Sequence, residues 1–218
     1  NGPGSLDYDC SVNYTTVFDR RESRSFGDLL QDFDAETATG DANLYGCEFD
    51  GNNIWVTGVI DNEMKLYKFD KNGNFVETFN LGTSSGNSIC DLALWGTNLF
   101  GSSGGYFYRI DTEDGSLTRL FDVHGELGIS VQPLAHIGGG DFVSIGLSGD
   151  FLVFDSSGDI NDTWNAPISD PGWITGLAYD EVTGYLWLFC GSGPGNQNTT
   201  LVQYDPATES ETGVEYVV

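Results

Sequence analysis

From residue 45 onward the chain alternates short apolar runs with turns built from Gly, Asn and Asp. The window 46–81 reads GCEFDGNNIWVTGVIDNEMKLYKFDKNGNFVETFNL and holds four such runs. Runs this short, bounded by turn residues, predict strands. The same layout returns three more times, and half of it stands once before.

One dipeptide sets the register of the repeats: a large apolar residue followed by Asp. It occurs as Phe18-Asp19, Phe69-Asp70, Ile110-Asp111, Phe154-Asp155 and Tyr204-Asp205, at spacings of 51, 41, 44 and 50 residues. Each copy ends one strand and enters a polar turn. A second strand follows, at 27–33, 74–80, 116–122, 159–164 and 212–218. An Asp at a strand end accepts N–H bonds from the turn that follows, so the residue type needs no catalytic explanation. Ahead of the last four hairpins lies another pair of strands, at 45–49 with 54–58, 89–94 with 98–102, 133–137 with 142–146, and 174–179 with 185–190.

A period near 45 residues with four strands per period is the mark of propeller blades. Blades stacked around an axis bury the faces of neighbouring sheets and leave only short edges. The chain therefore predicts a single all-β propeller of about five four-stranded antiparallel blades, the first incomplete. Residues 1–43 form an N-terminal arm and hairpin, with one further strand expected within 6–14, and residues 44–218 form four complete blades. Residues 34–43 read as an acidic connector, and no stretch reads as a helix. The small, Gly-rich run AHIGGG at 135–140 suits an innermost strand near the axis.

Composition narrows the function more than the fold. The 218 residues carry 33 acids against 8 bases, a formal charge of −25. Such a surface repels phosphate backbones and anionic headgroups, so neither nucleic acid nor membrane insertion is expected. No apolar run approaches the length of a membrane helix. A chain that starts at Asn1 reads as a processed secreted protein or an excised fragment. The acids leave room for Ca²⁺, and Asp32, Asp34, Glu36 and Asp41 make a loose cation site or a solvated connector. Asp70 to Asn74 opens like a Ca²⁺ loop but lacks the distal Glu, so a hairpin turn is the better reading.

Four cysteines stand at Cys10, Cys47, Cys90 and Cys190, with no CxxC and only two histidines. A zinc site is not expected. A Cys10–Cys47 disulfide would tie the N-terminal arm to the first full repeat, and free buried thiols are the alternative. Sequons at Asn13, Asn161 and Asn198 are glycan candidates in a secreted eukaryotic protein. His136, on an inner strand, is expected to be hydrogen-bonded filler at the axis. His124 lies in a connector. No nucleophile elbow, P-loop or dinucleotide fingerprint occurs.

Of the five tryptophans, Trp55, Trp164 and Trp187 follow the repeat and read as interblade core. Trp95 and Trp173 fall at strand ends or in loops, where an indole can stack on a sugar or a protein partner. With Asn196 and Asn198 of the polar loop 191–200, they are the candidate ligand-binding residues. No residue is singled out as catalytic.

Ser157 to Trp164, SGDINDTW, resembles the Asp-box of sialidase-type propellers, with Asn161 where that motif has Gly. There the motif is a folding element, and the five Arg here include no evident convergent set for gripping a carboxylate. The stretches TVFDRRESRSFGDLLQDFD, GCEFDGNNIWVTG and LYKFDKNGNFVETF resemble the repeat propellers of large secreted bacterial surface proteins. That resemblance implies fold and an extracellular or cell-surface location. Together these features predict a non-enzymatic interaction or self-assembly module, with protein, a second copy of itself or glycans as partner. A surface fibre would follow if the N-terminal hairpin completed a neighbour's sheet. The alternatives are a lectin-like propeller and a Ca²⁺-dependent hydrolase or lactonase with acids around the axial mouth.

Overall fold

The computed structural model describes residues 32–83, 89–103, 105–123, 133–145, 150–165, 173–191 and 200–217, with the Trp173 side chain excepted. Among the described residues, sixteen strands form four antiparallel sheets of four, each a simple meander from inner to outer strand. Sheet one holds β1 (Leu44–Phe49), β2 (Asn53–Ile60), β3 (Glu63–Asp70) and β4 (Phe75–Thr83). Sheet two holds β5 (Leu92–Trp95), β6 (Asn98–Ser103), β7 (Tyr106–Asp111) and β8 (Leu117–Asp122). Sheet three holds β9 (Leu134–Gly138), β10 (Asp141–Ile145), β11 (Phe151–Asp155) and β12 (Ile160–Trp164). Sheet four holds β13 (Trp173–Asp180), β14 (Tyr185–Gly191), β15 (Thr200–Asp205) and β16 (Ser210–Val217). The protein is an all-β propeller with four complete blades.

The repeated Asp does what its residue type predicts. Asp70 Oδ1 accepts from the backbone N of Asn72 and Asn74, and Asp155 Oδ1 from those of Ser157 and Asp159. Asp111 and Asp205 close their turns in the same way. The Phe18-Asp19 copy and the rest of the N-terminal unit through residue 31 lie outside the described residues.

Strand alternation sends one face of each sheet to each neighbour. Between sheets one and two, Trp55, Leu66 and Phe79 meet Leu92, Leu99 and Ile110. Between sheets two and three, Phe100, Phe107 and Phe121 meet Phe142 and Phe154. Between sheets three and four, Val143, Phe151 and Val153 meet Leu186, Leu188 and Tyr204. The inner strands pack in the order β1, β5, β9, β13.

Two local expectations change. The connector 34–43 contains a helical turn, α1 (Ala35–Thr39). Asp34 caps it by accepting from Thr37 N at 2.8 Å, and Gly40, at φ 72°, ends it in the left-handed region. The strand expected at 27–33 does not reach its last two residues: Asp32 and Phe33 are irregular. Phe33 packs, tilted, 4.9 Å from Phe69 on the face of sheet one that is turned away from sheet two. Ala35 covers the same face, over Ile54, Val56 and Tyr67. Of the loose cation set, Asp34 is spent on the cap. Asp41 is buried, accepting from Tyr67 Oη at 2.8 Å and Asn43 N at 2.8 Å.

Candidate functional site at the axial mouth

Meander topology places the first and third turns of every blade at the same end of the propeller. The first turns stand nearest the axis, so the ends of β1, β5, β9 and β13 frame its mouth. Phe49, Trp95, His136 and Glu181 come from these four positions.

Trp95 is the prominent feature. It is 39% exposed, yet its ring stacks on His136, with centroids 5.9 Å apart and planes 24° from parallel. Phe100 lies tilted against it at 5.7 Å, and Phe142 stands roughly perpendicular to it at 6.1 Å. The indole is thus packed against aromatic side chains of two blades while the residue stays partly open to solvent. The turn Gly138–Gly140 has positive φ throughout, and a Cβ on Gly140 would lie 3.1 Å from the indole. Glycine there lets the turn lie against the ring. Phe49 and Val182, on the first turns of sheets one and four, are exposed as well.

His136 is half-buried and its Nε2 is buried without a hydrogen-bond partner. The expected hydrogen-bonded filler thus lacks a partner at this nitrogen. Burial pushes the imidazole pKa below its ordinary value, against the opposing pull of Glu181 and Asp141. No hydroxyl or thiol is hydrogen-bonded to it among the described residues, so the geometry of an activated nucleophile is not present there.

Deeper along the axis sits a group that sequence reasoning missed. Asp91 is 8% exposed. Its Oδ2 accepts from Leu134 N at 2.9 Å and Leu177 N at 3.3 Å, and its Oδ1 from Leu92 N at 3.0 Å. One carboxylate of sheet two thereby ties the inner strands of sheets three and four. Burial holds its pKa well above the usual carboxylate range despite those donors, and Glu48 adds to the rise. Sheet one closes in from the other side, for a Cβ on Gly46 would lie 2.6 Å from Asp91 Cα. Glu48 accepts from Leu94 N at 3.2 Å and Phe49 N at 2.8 Å, and burial pushes its pKa to about 7. The signal in the sequence was an acid inside an otherwise apolar run, as in ICDLAL.

The remaining expected residues scatter. Trp173 starts β13, with its side chain outside the described set, and Asn196, Asn198, Asn13, Cys10 and His124 also lie outside it. Asn161 is exposed on β12 and donates through Nδ2 to Asp141 Oδ1 at 2.8 Å. Cys47 is a free thiol, while its expected partner Cys10 is undescribed. Cys47 touches solvent, but protein crowds it, and that burial, with Asp91 and Glu48 nearby, pushes its pKa to about 12. Cys190 is buried in the interface of sheets three and four, and Cys90 is half-buried. Trp55 is interblade core as expected, and Trp164 packs on the core of sheets three and four.

No family model matches the chain, and no characterised relative matches its sequence. Solved structures do match its shape. The WD40 domain of Neurospora crassa Pan2 superposes with a TM-score of 0.50 at 11% identity, over 80% of this chain and 49% of that one. The WD40 β-propeller domain of Doa1 superposes with a TM-score of 0.48 at 15% identity, over 79% and 54%. The chain spans about half the length of these structures. The fold defines the class: a β-propeller.

Proposed function

We propose that this propeller is a non-enzymatic interaction module that takes its partner at the axial mouth. One observation carries the reading: Trp95 is braced by His136, Phe100 and Phe142 and is still an exposed residue. A rigid, half-exposed aromatic suits the centre of a binding surface. Catalysis is a poorer fit, because His136 at the mouth has an unpartnered Nε2 and, among the described residues, no nucleophile bonded to it.

Extracellular placement rests on the resemblance to bacterial surface propellers and on the acidic surface. Self-assembly into a fibre is the finer form of the same reading. Outer strands β4, β8, β12 and β16 end their sheets, and an added strand would pair with such an edge. Electron microscopy of the full chain over a range of concentrations tests it: filaments support assembly, and monomers throughout overturn it.

The mouth is tested by capturing partners from the native secretome with wild-type protein and with Trp95→Ala. Partners lost with the variant support the module; partners retained unchanged remove the mouth from the reading. The same indole favours sugar stacking as a second reading, which a glycan array with both proteins decides.

A further inference from the structure

We propose that the occupant of the mouth is a cationic side chain, a Lys or Arg presented on an extended segment of a basic protein. This rests on the interaction reading above and specifies its partner.

Charge complementarity comes first. The eight turns at this end hold Lys71 as their single basic side chain. Each outer turn opens on the repeated Asp, and the inner turns add Asp50, Asp141 and Glu181. Most of those outer aspartates are occupied by their own turn N–H groups, so they supply field more than contacts. Glu181 and Asp141 lie close enough to His136 to act on its charge, which places negative potential beside the Trp95 platform.

The platform is the second, independent observation. An indole face attracts ammonium and guanidinium groups through its quadrupole, and the attraction strengthens where water is partly excluded. Among the described residues the contact occurs twice: Lys68 Nζ stands 4.9 Å over the Trp55 ring, and Arg119 Cζ stands 4.0 Å over Tyr106. Trp95 has no cation over it among the described residues. Its stacking partner does not compete, since burial keeps His136 toward the neutral form, and a neutral imidazole brings no repulsion. A phosphate or acidic partner would meet the opposite: carboxylates around an electron-rich face.

The test uses the full chain with short oligoarginine, oligolysine, Gly-Ser and oligoglutamate peptides, followed by calorimetry and tryptophan fluorescence. The basic peptides should bind, the neutral and acidic ones should not, and binding should weaken with added salt. Trp95→Ala should lower affinity for the basic peptides about tenfold, and Trp95→Phe less, by the ordinary strength of cation–π contacts. Glu181→Gln should lower it several-fold, whereas Asp114→Asn on an outer turn should change little. Circular dichroism of each variant checks folding, and Glu181→Gln carries the test should Trp95→Ala unfold. Equal binding of basic peptides by wild type and a folded Trp95→Ala would show attraction to diffuse charge alone and overturn the proposal. Indifference to basic peptides alongside Trp95-dependent capture of a neutral partner or glycan would also overturn it, while leaving the mouth as the binding surface.

Discussion

Asp91 accepts a hydrogen bond from the backbone N of Leu177 at 3.3 Å, joining inner strands of sheets two and four that stand 86 residues apart in the chain. The same oxygen also holds Leu134 N of sheet three. A buried carboxylate is costly unless its lone pairs are used, and here they are used to fix three blades to one another.

Replacing Asp91 therefore acts on the whole ring. Asp91→Ala leaves the N–H groups of Leu134 and Leu177 buried without acceptors, at a cost of roughly 2–4 kcal/mol. Asp91→Asn keeps an acceptor oxygen and should cost less. Urea unfolding of the two variants measures both, and an Asp91→Ala midpoint equal to wild type would remove the axial tie.

Glu48 makes stability depend on pH in a predictable direction. Its folded pKa is raised from 4.5 to about 7 by burial. The native state thus holds this proton more tightly than the unfolded chain, and its contribution is full below pH 4.5 and is lost as pH rises through about 7. The loss amounts to on the order of 3 kcal/mol. Asp91 is shifted the same way. Opposing them, turn carboxylates such as Asp50, Asp70 and Asp155 are shifted down by their hydrogen bonds, and their contribution disappears as pH falls through their depressed values. Glu48→Gln should flatten the decline of thermal stability between mildly acidic and neutral pH. A wild-type curve that rises over that range would contradict the assignment.

Cys47 is predicted to be a slow nucleophile despite touching solvent. With its thiol pKa near 12, almost none is thiolate at neutral pH. Iodoacetamide at pH 8 should modify Cys47 far more slowly than a free cysteine, as read by mass spectrometry. Rapid modification would show the crowding to be absent.

Phe107 tests the interblade core. It is fully buried, with Phe121 and Phe142 each 5.2 Å away and Phe154 at 5.5 Å. Phe107→Ala should cost about 3–5 kcal/mol through the cavity it leaves. Val182→Ala, at a 94% exposed position, should stay within about 0.5 kcal/mol. Thermal unfolding distinguishes them.

The strands were legible because their cues are local. Phe69-Asp70, Ile110-Asp111, Phe154-Asp155 and Tyr204-Asp205 each end a strand and cap the turn behind it, and those bonds close within a few residues. The helical turn at Ala35–Thr39 was missed because one turn shows no periodicity, although Asp34 and Gly40 are its ordinary cap residues. Trp95 was picked out by its place at a strand end. The surroundings of His136 were not legible because they come from Trp95, 41 residues earlier, and from Phe142 across a turn.

By itself, then, the chain determined the repeated four-strand unit, the turn that follows each aspartate, and the acidic charge balance. These depend on contacts between near neighbours or on simple sums over residues. Only the tertiary structure decided that Asp91 reaches three blades, that Glu48 and Cys47 are crowded beside it, and that Trp95 rests on His136. Such relations join residues from different sheets, and their energies arise from desolvation and packing that exist only once the blades stand side by side.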